Sequence, residues 1–437
     1  MTTATPHPYE TLKHWLLGKA RAQLQTSEPP EWLHRLREEA LDAFSGVQLP
    51  TRKTENWRYT PIVSLNSLLQ AAPVSDEGGF QTESLPELNA GTQLTFTFTD
   101  GHLSGPDGQV TGLTWTAFRD ASETQQTAIQ AALQALPVQH PFLALNAAWS
   151  GDGLLLDIAP EATLPLIQIR YCASESQALS LPRIVVRAGR HSRVEILEIF
   201  TTSHTAEGPG LTNHAIQFQL EDSAKCIHTV VTQEAPEHRH IGFTQATLKA
   251  HSRYEHHAFA RGNALCRRDI QVDLSEPAAE TRLNGVYLLN GNRHCDFHTC
   301  INHQAPYCTS EESFRGIIGD SAKAVFNGRI HIYRDAQKSN AQMSNNNLLL
   351  TSRAEVNTKP ELEIYADDVK CSHGATVGQL DKQALYYCQS RGIPYEMACQ
   401  LLSHAFVNEL LESVPNGEIA TWLEALAEPF YREAKPA

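Results

Sequence analysis

Apolar residues in the first fifty positions recur every three or four residues, the spacing that places side chains on one face of an α-helix. One such run begins at Leu12 and a second at Leu33. Pro29 and Pro30 lie between the runs, and Gly46 follows the second, so the pattern predicts two helices that are separated by the proline pair and end near the glycine.

The next ninety residues have no single period. Residues 51–61 combine aromatic and charged side chains and end in a proline, which indicates an ordered loop. Farther on, residues 94–98 alternate as a strand does, and residues 124–136 have helical spacing. We therefore predict a mixed N-terminal domain over residues 1–140.

From about Pro141 the pattern changes to short alternating or β-branched runs separated by turn residues, and helical periodicity disappears for more than two hundred residues. The clearest runs are 154–158, 184–187, 194–200, 215–220 and 227–231. This pattern predicts a β domain over residues 141–378.

A weak repeat indicates how these strands are arranged. Ser192, Ser223, Ser252 and Thr281 each precede a strand, at intervals of 31, 29 and 29 residues. Two strands per unit of about 30 residues are typical of a parallel β-helix in which each coil contributes to two sheets. The asparagine run 345–347 is expected to form amide ladders between coils. The alternative is an irregular β-sandwich, although the two-residue hairpin turns of a sandwich are scarce.

Helical spacing returns after residue 378. Apolar residues between 385 and 410 flank a break at 391–394, and a further amphipathic run over 419–426 is expected to end near Pro429. We predict a C-terminal helical domain over residues 379–437 that caps the β stack, because an open-ended coil exposes unpaired strand edges.

Charge and composition exclude several functions. The 437 residues carry 35 Lys and Arg against 49 Asp and Glu, a formal net charge of −14, and the basic residues cluster only in pairs. Nucleic-acid binding is therefore not expected. The longest apolar runs are far shorter than the roughly 20 residues of a membrane span, and the N-terminus lacks a secretory pattern, so we expect a cytoplasmic protein without a membrane segment.

Nine cysteines and twenty histidines are the chain's main candidate chemistry. The cysteines do not form a disulfide framework, so reduced thiols are expected. The densest cluster spans residues 294–308, where alternation would place His294, Asp296, His298 and Cys300 on one strand face. The alternatives here are ordinary strand residues, or a metal site in a stand-alone metal-binding protein or metalloenzyme.

A second candidate is Cys371 with His373, two residues apart and so on one strand face, beside Lys370 and several glycines. A neighbouring cation would favour the thiolate, the form that ligates metal. The alternative is a buried structural cysteine with a hydrogen-bonded histidine.

No nucleophile elbow, Walker loop, dinucleotide fingerprint or HExxH motif is found. A carbohydrate-active β-helix is a minor alternative, based on Asp367 and Asp368.

The stretch LEIYADDVKCSHGATVG at 362–378 closely resembles the SufD family, scaffold subunits of the SUF iron–sulfur cluster assembly machinery. The other matching stretches are 55–60, 324–328, 345–349, 354–360, 390–394 and 405–406. The resemblance runs from about residue 50 to 412 and is weaker in the N-terminal third. The related SufB subunits differ at residues 371–375, where they resemble Glu-His-Glu-Ala.

The resemblance implies a right-handed parallel β-helix between helical terminal domains, and a non-catalytic subunit. It implies a heterodimer with a SufB paralogue through the β-helix and a SufC ATPase on the C-terminal helices. The sequence leaves open whether a homodimer forms when SufB is absent. Cys371 and His373 match positions implied to lie at that interface and to contact a transient iron–sulfur cluster or iron. His303 and Cys308 lie in a stretch that also resembles the family, as weaker metal-ligand candidates.

Overall fold

The computed structural model describes residues 7–70, 85–86, 88, 93–106, 110–134, 140–149, 152–174, 179–203 and 208–433. Seven α-helices and twenty strands fall within this part of the chain. The helices are α1 Glu10–Thr26, α2 Glu31–Gly46, α3 Glu123–Gln134, α4 Pro141–Trp149, α5 Lys382–Ser390, α6 Tyr395–Glu412 and α7 Gly417–Glu433. Short 3-10 segments occupy Glu55–Trp57, Ile62–Leu69 and Phe118–Asp120.

The strands form a parallel β-solenoid between the terminal helices, as the sequence predicts. They are β1 Gln93–Thr99, β2 His102–Ser104, β3 Leu113–Ala117, β4 Gly153–Ile158, β5 Leu166–Ala173, β6 Leu179–Ser180, β7 Arg183–Ala188, β8 Arg193–Thr202, β9 Leu211–Leu220, β10 Lys225–Gln233, β11 Arg239–Leu248, β12 Arg253–Ala260, β13 Leu265–Leu274, β14 Glu280–Leu289, β15 His294–His303, β16 Thr309–Ile318, β17 Lys323–Ile332, β18 Asn340–Leu349, β19 Glu355–Ile364 and β20 Lys370–Gly378.

Successive long strands alternate between two 10-stranded sheets, so each coil contributes one strand to each sheet. Sheet A has the order β2-β1-β5-β8-β10-β12-β14-β16-β18-β20, and sheet B has the order β19-β17-β15-β13-β11-β9-β7-β4-β3, with β6 beside β9. Only the β1–β2 and β3–β4 pairs are antiparallel among the described strands. Each long strand between β8 and β18 therefore pairs with the strand one coil before and one coil after it.

The turns after the sheet B strands β7, β9, β11 and β13 each carry a residue in the left-handed backbone region, which accounts for the repeat. His191, Ser223, His251 and Ala278 occupy equivalent turns, with φ between 58° and 60°. The register aligns Ser192 with Ala224, so Ser223 lies one position earlier than the sequence alignment assumes. Thr281 lies two positions after the equivalent of Ser252. The coil length is confirmed, and the residue alignment at Ser223 and Thr281 is corrected.

Alternation along each strand divides the core from the helical layers. Inward side chains of both sheets form one continuous apolar core, from Phe96 to Ala366. Outward residues of sheet B, such as Leu211 and Ile241, pack against α1 and α4. Outward residues of sheet A, such as Leu197 and Val286, pack against α6 and α7.

The C-terminal helices therefore do not cap the stack. The prediction of a cap was wrong because the apolar face of α6 and α7 matches an apolar outer face of sheet A, where Val407 and Phe430 are fully buried. Burial of that face holds α6 and α7 on the side of the solenoid, and the last described coil keeps an open end.

Two further expectations are corrected. Helical periodicity does not disappear at Pro141, because α4 follows at once; seven of its nine residues are buried, so no polar face marks it as a helix. The last helix does not end near Pro429 but continues through it to Glu433.

The asparagine run does not form ladders between coils. Asn347 donates to Asn345 Oδ1 on the same strand at 2.7 Å, and Asn345 donates to Tyr287 Oη at 2.9 Å. Tyr287 in turn donates to Asn347 Oδ1 at 2.5 Å. The amides thus satisfy one another and a buried phenol inside the solenoid.

No helix in the described part of the chain is long and apolar enough to cross a membrane. The domain boundaries at residues 140 and 378 remain predictions.

Candidate functional site

The last coil of the solenoid is the candidate site. Its strands β19 and β20 each pair with only one described neighbour, β17 and β18 respectively, so each sheet ends on a free edge. The chain leaves the stack after β20, where the Asp381 side chain caps α5 by accepting from the Gln383 N–H at 2.9 Å. This coil therefore has no following coil to cover it.

Side chains that would be interior in any earlier coil are accessible here. The positions of β20 that stack on buried Ala341, Met343, Asn345 and Asn347 are Cys371, His373, Ala375 and Val377. Cys371 is half-buried and the other three are exposed, with Val377 at 50%. We call this accessible interior surface of β19 and β20 the open end.

Cys371 and His373 share this surface, as the alternation in the sequence predicts. Cys371 stacks on Ala341, and His373 stacks on Met343. The expectation that Lys370 favours a thiolate is not supported, because burial raises the pKa of the Cys371 thiol and Lys370 is exposed on the opposite face. A bound metal would therefore have to displace the thiol proton.

Backbone direction shows which amides face the free edge. The Lys370 N–H donates to Ser339 O of the preceding coil at 3.0 Å. The N–H groups of successive residues in a strand point alternately to its two neighbours. The N–H groups of Cys371, His373, Ala375 and Val377 therefore point away from β18, towards the free edge of sheet A. On β19 the Glu355 N–H donates to Ala322 O at 3.1 Å, which places Pro360 at an outward position where no internal bond is lost.

The cluster at 294–308 lies elsewhere. His294, Asp296 and His298 do share the outward face of β15, but protein groups already occupy the carboxylate of Asp296. Asp296 Oδ2 accepts from Thr60 Oγ1 at 2.5 Å and from Arg267 at 2.9 Å, and its Oδ1 lies 3.1 Å from His298 Nε2. Burial alone would raise the pKa of Asp296, but His298 and Arg267 hold it below its usual range. The arrangement is that of a buried ion pair.

This ion pair holds the loop at residues 51–61 against the solenoid. Arg267 packs 3.8 Å from the centre of the Trp57 ring and donates to Asn56 O at 2.6 Å. Farther along the same face, Arg329 donates to Cys300 Sγ at 3.3 Å, yet burial raises the pKa of that thiol despite the arginine. The polar residues of this face thus hold the loop rather than gather round an ion.

His303 and Cys308 are inside the solenoid. His303 Nε2 lies 2.8 Å from Ser310 Oγ, and Cys308 Sγ donates to Glu276 O at 3.4 Å. Both side chains are fully buried. The structure therefore does not bring either residue to the open end.

The buried His303 predicts a pH dependence of stability. Burial lowers its pKa to about 4, below the ordinary value of 6.5, so the unfolded chain binds the proton first and stability falls as pH drops from about 6.5 towards 4. Between pH 7 and pH 5 we expect His303→Gln to remove about 2 kcal/mol of the loss in unfolding free energy. Urea unfolding at both pH values measures this. The matched control is His14→Gln on exposed α1, and an equal pH dependence in wild type and His303→Gln would refute the assignment.

Sequence reasoning missed a polar network within the core. Glu198 Oε2 lies 2.7 Å from His228 Nε2, and Tyr171 donates to Glu198 Oε1 at 2.5 Å. Burial would raise the pKa of Glu198, but the His228 contact lowers it to about 2. Alternation along β8 points the Glu198 side chain inward among apolar neighbours. A charged residue at such a position was the feature of the sequence that could have revealed the network.

It also missed an apolar patch on the C-terminal helices. Tyr386 and Tyr387 on α5 and Tyr395, Met397 and Leu401 on α6 are all more than 40% exposed. Five large exposed apolar side chains on two adjacent helices indicate a surface for another protein.

The described residues thus form a parallel β-solenoid with helices on both outer faces and an uncovered last coil. The sequence matches the SUF system FeS cluster assembly SufBD core domain over residues 171–406 and the SufBD protein N-terminal region over residues 14–169. The chain belongs to this SufB/SufD family, is of the SufD type, and has a role in iron–sulfur cluster assembly.

Individual relatives agree. The chain is 31% identical to the iron–sulfur cluster assembly protein SufD of Escherichia coli strain K12, over 84% of this chain and 85% of that protein. It is 28% identical to the SufBD family protein slr0076 of Synechocystis, over 94% of both chains. It is 29% identical to the chloroplastic protein ABCI7 of Arabidopsis thaliana, over 89% of this chain and 84% of that protein.

Proposed function

We propose that this chain is a non-catalytic scaffold subunit that pairs with a SufB paralogue through its open end, and that a nascent iron–sulfur cluster forms at the junction. One observation carries the proposal: the two free sheet edges and the pair Cys371 and His373 occupy the same coil. In this proposal the chain supplies ligands and a docking surface, while the cluster is cargo.

The donor types suit transient cargo. A thiolate from Cys371 and an imidazole from His373 are both ligands that iron–sulfur clusters accept. Two donors alone leave the remaining iron sites to the partner. A cluster held in this way would form only when the interface is complete and would be released when the interface opens.

Strand addition is the expected mode of pairing. Both edges are free, but Pro360 removes a donor from the middle of the β19 edge, whereas β20 offers an uninterrupted row of outward N–H groups. We therefore assign the main-chain contact to β20, and the side chains of the open end to partner recognition. In the absence of a SufB partner, the same edge would pair with a second copy of this chain.

The exposed patch on α5 and α6 is the proposed docking surface for a SufC ATPase. Leu385, Ala398 and Cys399 hold the two helices together from within, which leaves Tyr386 and Leu401 free for a partner.

The substitution Leu401→Glu should weaken SufC binding, because it places a charge in this apolar patch. We expect a loss of about 2 kcal/mol, roughly 30-fold in Kd, as for an interface hot spot. Titration calorimetry with purified SufC measures it. Val63→Glu, at an exposed apolar position of the N-terminal part, is the matched control, and equal binding by Leu401→Glu would remove SufC from this surface.

The alternative of a stand-alone metal protein using residues 294–308 has no geometric support. No group of three or more His, Cys, Asp or Glu side chains gathers as a metal site in the described part of the chain. The cytoplasmic location and the three-domain division are kept as predictions.

Co-expression with SufB and SufC partners tests the proposed function. We expect a stable complex that contains all three proteins and gains the absorption of an iron–sulfur cluster after anaerobic reconstitution. Recovery of this chain alone, at any expression level of the partners, would contradict it.

A further inference from the structure

The edge strand β20 has few side-chain contacts of its own to hold it in place. None of its nine residues is buried, and it pairs only with β18 among the described strands. Gly374 lies in its middle and Gly378 at its end, and glycine weakens a strand because it has no side chain to pack and loses more freedom on folding than other residues. A strand of this composition should fray unless other groups hold it.

Two asparagine side chains of β18 contact the same residue of β20, one on each face of the sheet. On the outer face, the Thr376 hydroxyl donates to Asn346 Oδ1 at 2.8 Å. On the inner face, Asn347 Nδ2 donates to Thr376 O at 3.5 Å. Thr376 is therefore held on both sides, in the half of β20 that follows Gly374.

The inner contact is fixed by a closed ring of three hydrogen bonds. Asn347 donates to Asn345 Oδ1 at 2.7 Å, and Asn345 donates to Tyr287 Oη at 2.9 Å. Tyr287 closes the ring by donating to Asn347 Oδ1 at 2.5 Å. The three side chains are at most 2% exposed, so the loss of one bond would leave buried polar groups without partners. The ring therefore fixes the orientation of the Asn347 amide that reaches Thr376.

Gly316 allows this ring to form between strands that are not neighbours. Tyr287 lies on β14, Gly316 stacks on it in β16, and Asn347 stacks on Gly316 in β18. A Cβ at Gly316 would lie only 1.9 Å from Tyr287 Cε2, so the glycine leaves the space through which the phenol crosses β16. Side-chain hydrogen bonds thus connect β20 to a strand three positions deeper in sheet A.

We propose that Tyr287, Asn345 and Asn347 are positioning residues that hold β20 extended while its edge is free, so that the edge is preorganised for strand addition. A strand that is already ordered avoids the entropy cost of ordering at the moment of binding. The inference rests on the proposed function, because it takes β20 as the edge that pairs. If the three side chains only filled the core, their hydrogen bonds would have no specific effect on β20.

Amide hydrogen exchange in the dilute isolated full chain tests this positioning role. We expect Tyr287→Phe, which removes only the hydroxyl, to speed exchange of the β18-facing N–H groups of Thr376 and Gly378 about 10-fold. Tyr254→Phe is the matched control, because it removes another buried phenol, which lies on β12 and 2.8 Å from His228 Nδ1. It should leave exchange in β20 at the wild-type rate.

A second pair of variants tests the outer contact without changing the core. Thr376→Val removes the hydroxyl that donates to Asn346, whereas Thr376→Ser keeps it. We expect exchange at Gly378 to be about 3-fold faster in the valine variant than in the serine variant. Strand propensity alone predicts the reverse order, because valine favours a strand.

Affinity for immobilised SufB is measured separately and should weaken about 5-fold in Tyr287→Phe but not in Tyr254→Phe. Wild-type exchange of β20 in Tyr287→Phe, or equal acceleration in both phenylalanine variants, would overturn the positioning role. Faster exchange with unchanged SufB affinity would overturn its part in pairing. If Tyr287→Phe does not fold, the Thr376 variants decide. A wild-type chain that does not bind SufB would contradict the proposed function, and the exchange of the isolated chain would still show whether β20 is held.

Discussion

An Ala375→Pro chain should fold normally but bind its SufB partner about 100-fold more weakly than wild type. The Ala375 N–H points away from β18, so proline removes no internal hydrogen bond of the solenoid. It removes one donor from the pairing edge and places its ring against the incoming strand, a penalty of about 3 kcal/mol by analogy with proline in a regular element. Affinity measured by biolayer interferometry with immobilised SufB gives the number.

Ala375→Val is the matched control, because it keeps the outward N–H and favours a strand. Circular dichroism and an unchanged melting temperature show that the proline variant retains its solenoid. Wild-type affinity of Ala375→Pro would contradict pairing through β20, and equal losses in the proline and valine variants would indicate a side-chain effect instead.

The second prediction with a large expected effect concerns the iron–sulfur cluster. His373→Ala should lower cluster content of the reconstituted complex to about a tenth of wild type or less, because it removes a direct ligand at a site where even supporting residues contribute 10- to 100-fold. The exposed position of His373 makes a folding defect an inadequate explanation of such a loss. Iron and sulfide analysis, with the visible absorption of the complex, measures the cluster.

His14→Ala, which removes an exposed histidine from α1, controls for the loss of an imidazole alone. Complex formation is measured in the same samples, so a missing cluster is separated from a missing partner. Undiminished cluster in a fully assembled His373→Ala complex would exclude His373 as a ligand.

The architecture could be predicted because its periodicities are local. Alternation along single strands and a repeat of about 30 residues are both visible in the chain, and the register confirms the coil length. The helix α4 was missed because its side chains are buried on all sides, so amphipathic spacing does not mark it. The position of α6 and α7 was missed because an apolar helix face indicates burial but not the surface that buries it.

The candidate site was predictable in part for the same reason. Alternation along a strand places Cys371 and His373 on one face, and the structure agrees. Alternation along one strand cannot show that Arg267 neutralises Asp296, because these residues lie on different strands that meet only when the chain coils. It also cannot show which strand is last in the stack, and that fact makes Cys371 and His373 accessible while His303 and Cys308 are enclosed.

The most direct test of the account is amide hydrogen exchange across β20, with and without SufB. The outward N–H groups of Cys371, His373, Ala375 and Val377 should exchange rapidly in the dilute isolated chain and become protected in the complex. Amides that face β18, such as that of Lys370, should be protected in both. A SufB complex in which the four outward amides still exchange as fast as in the free chain would contradict pairing at the open end.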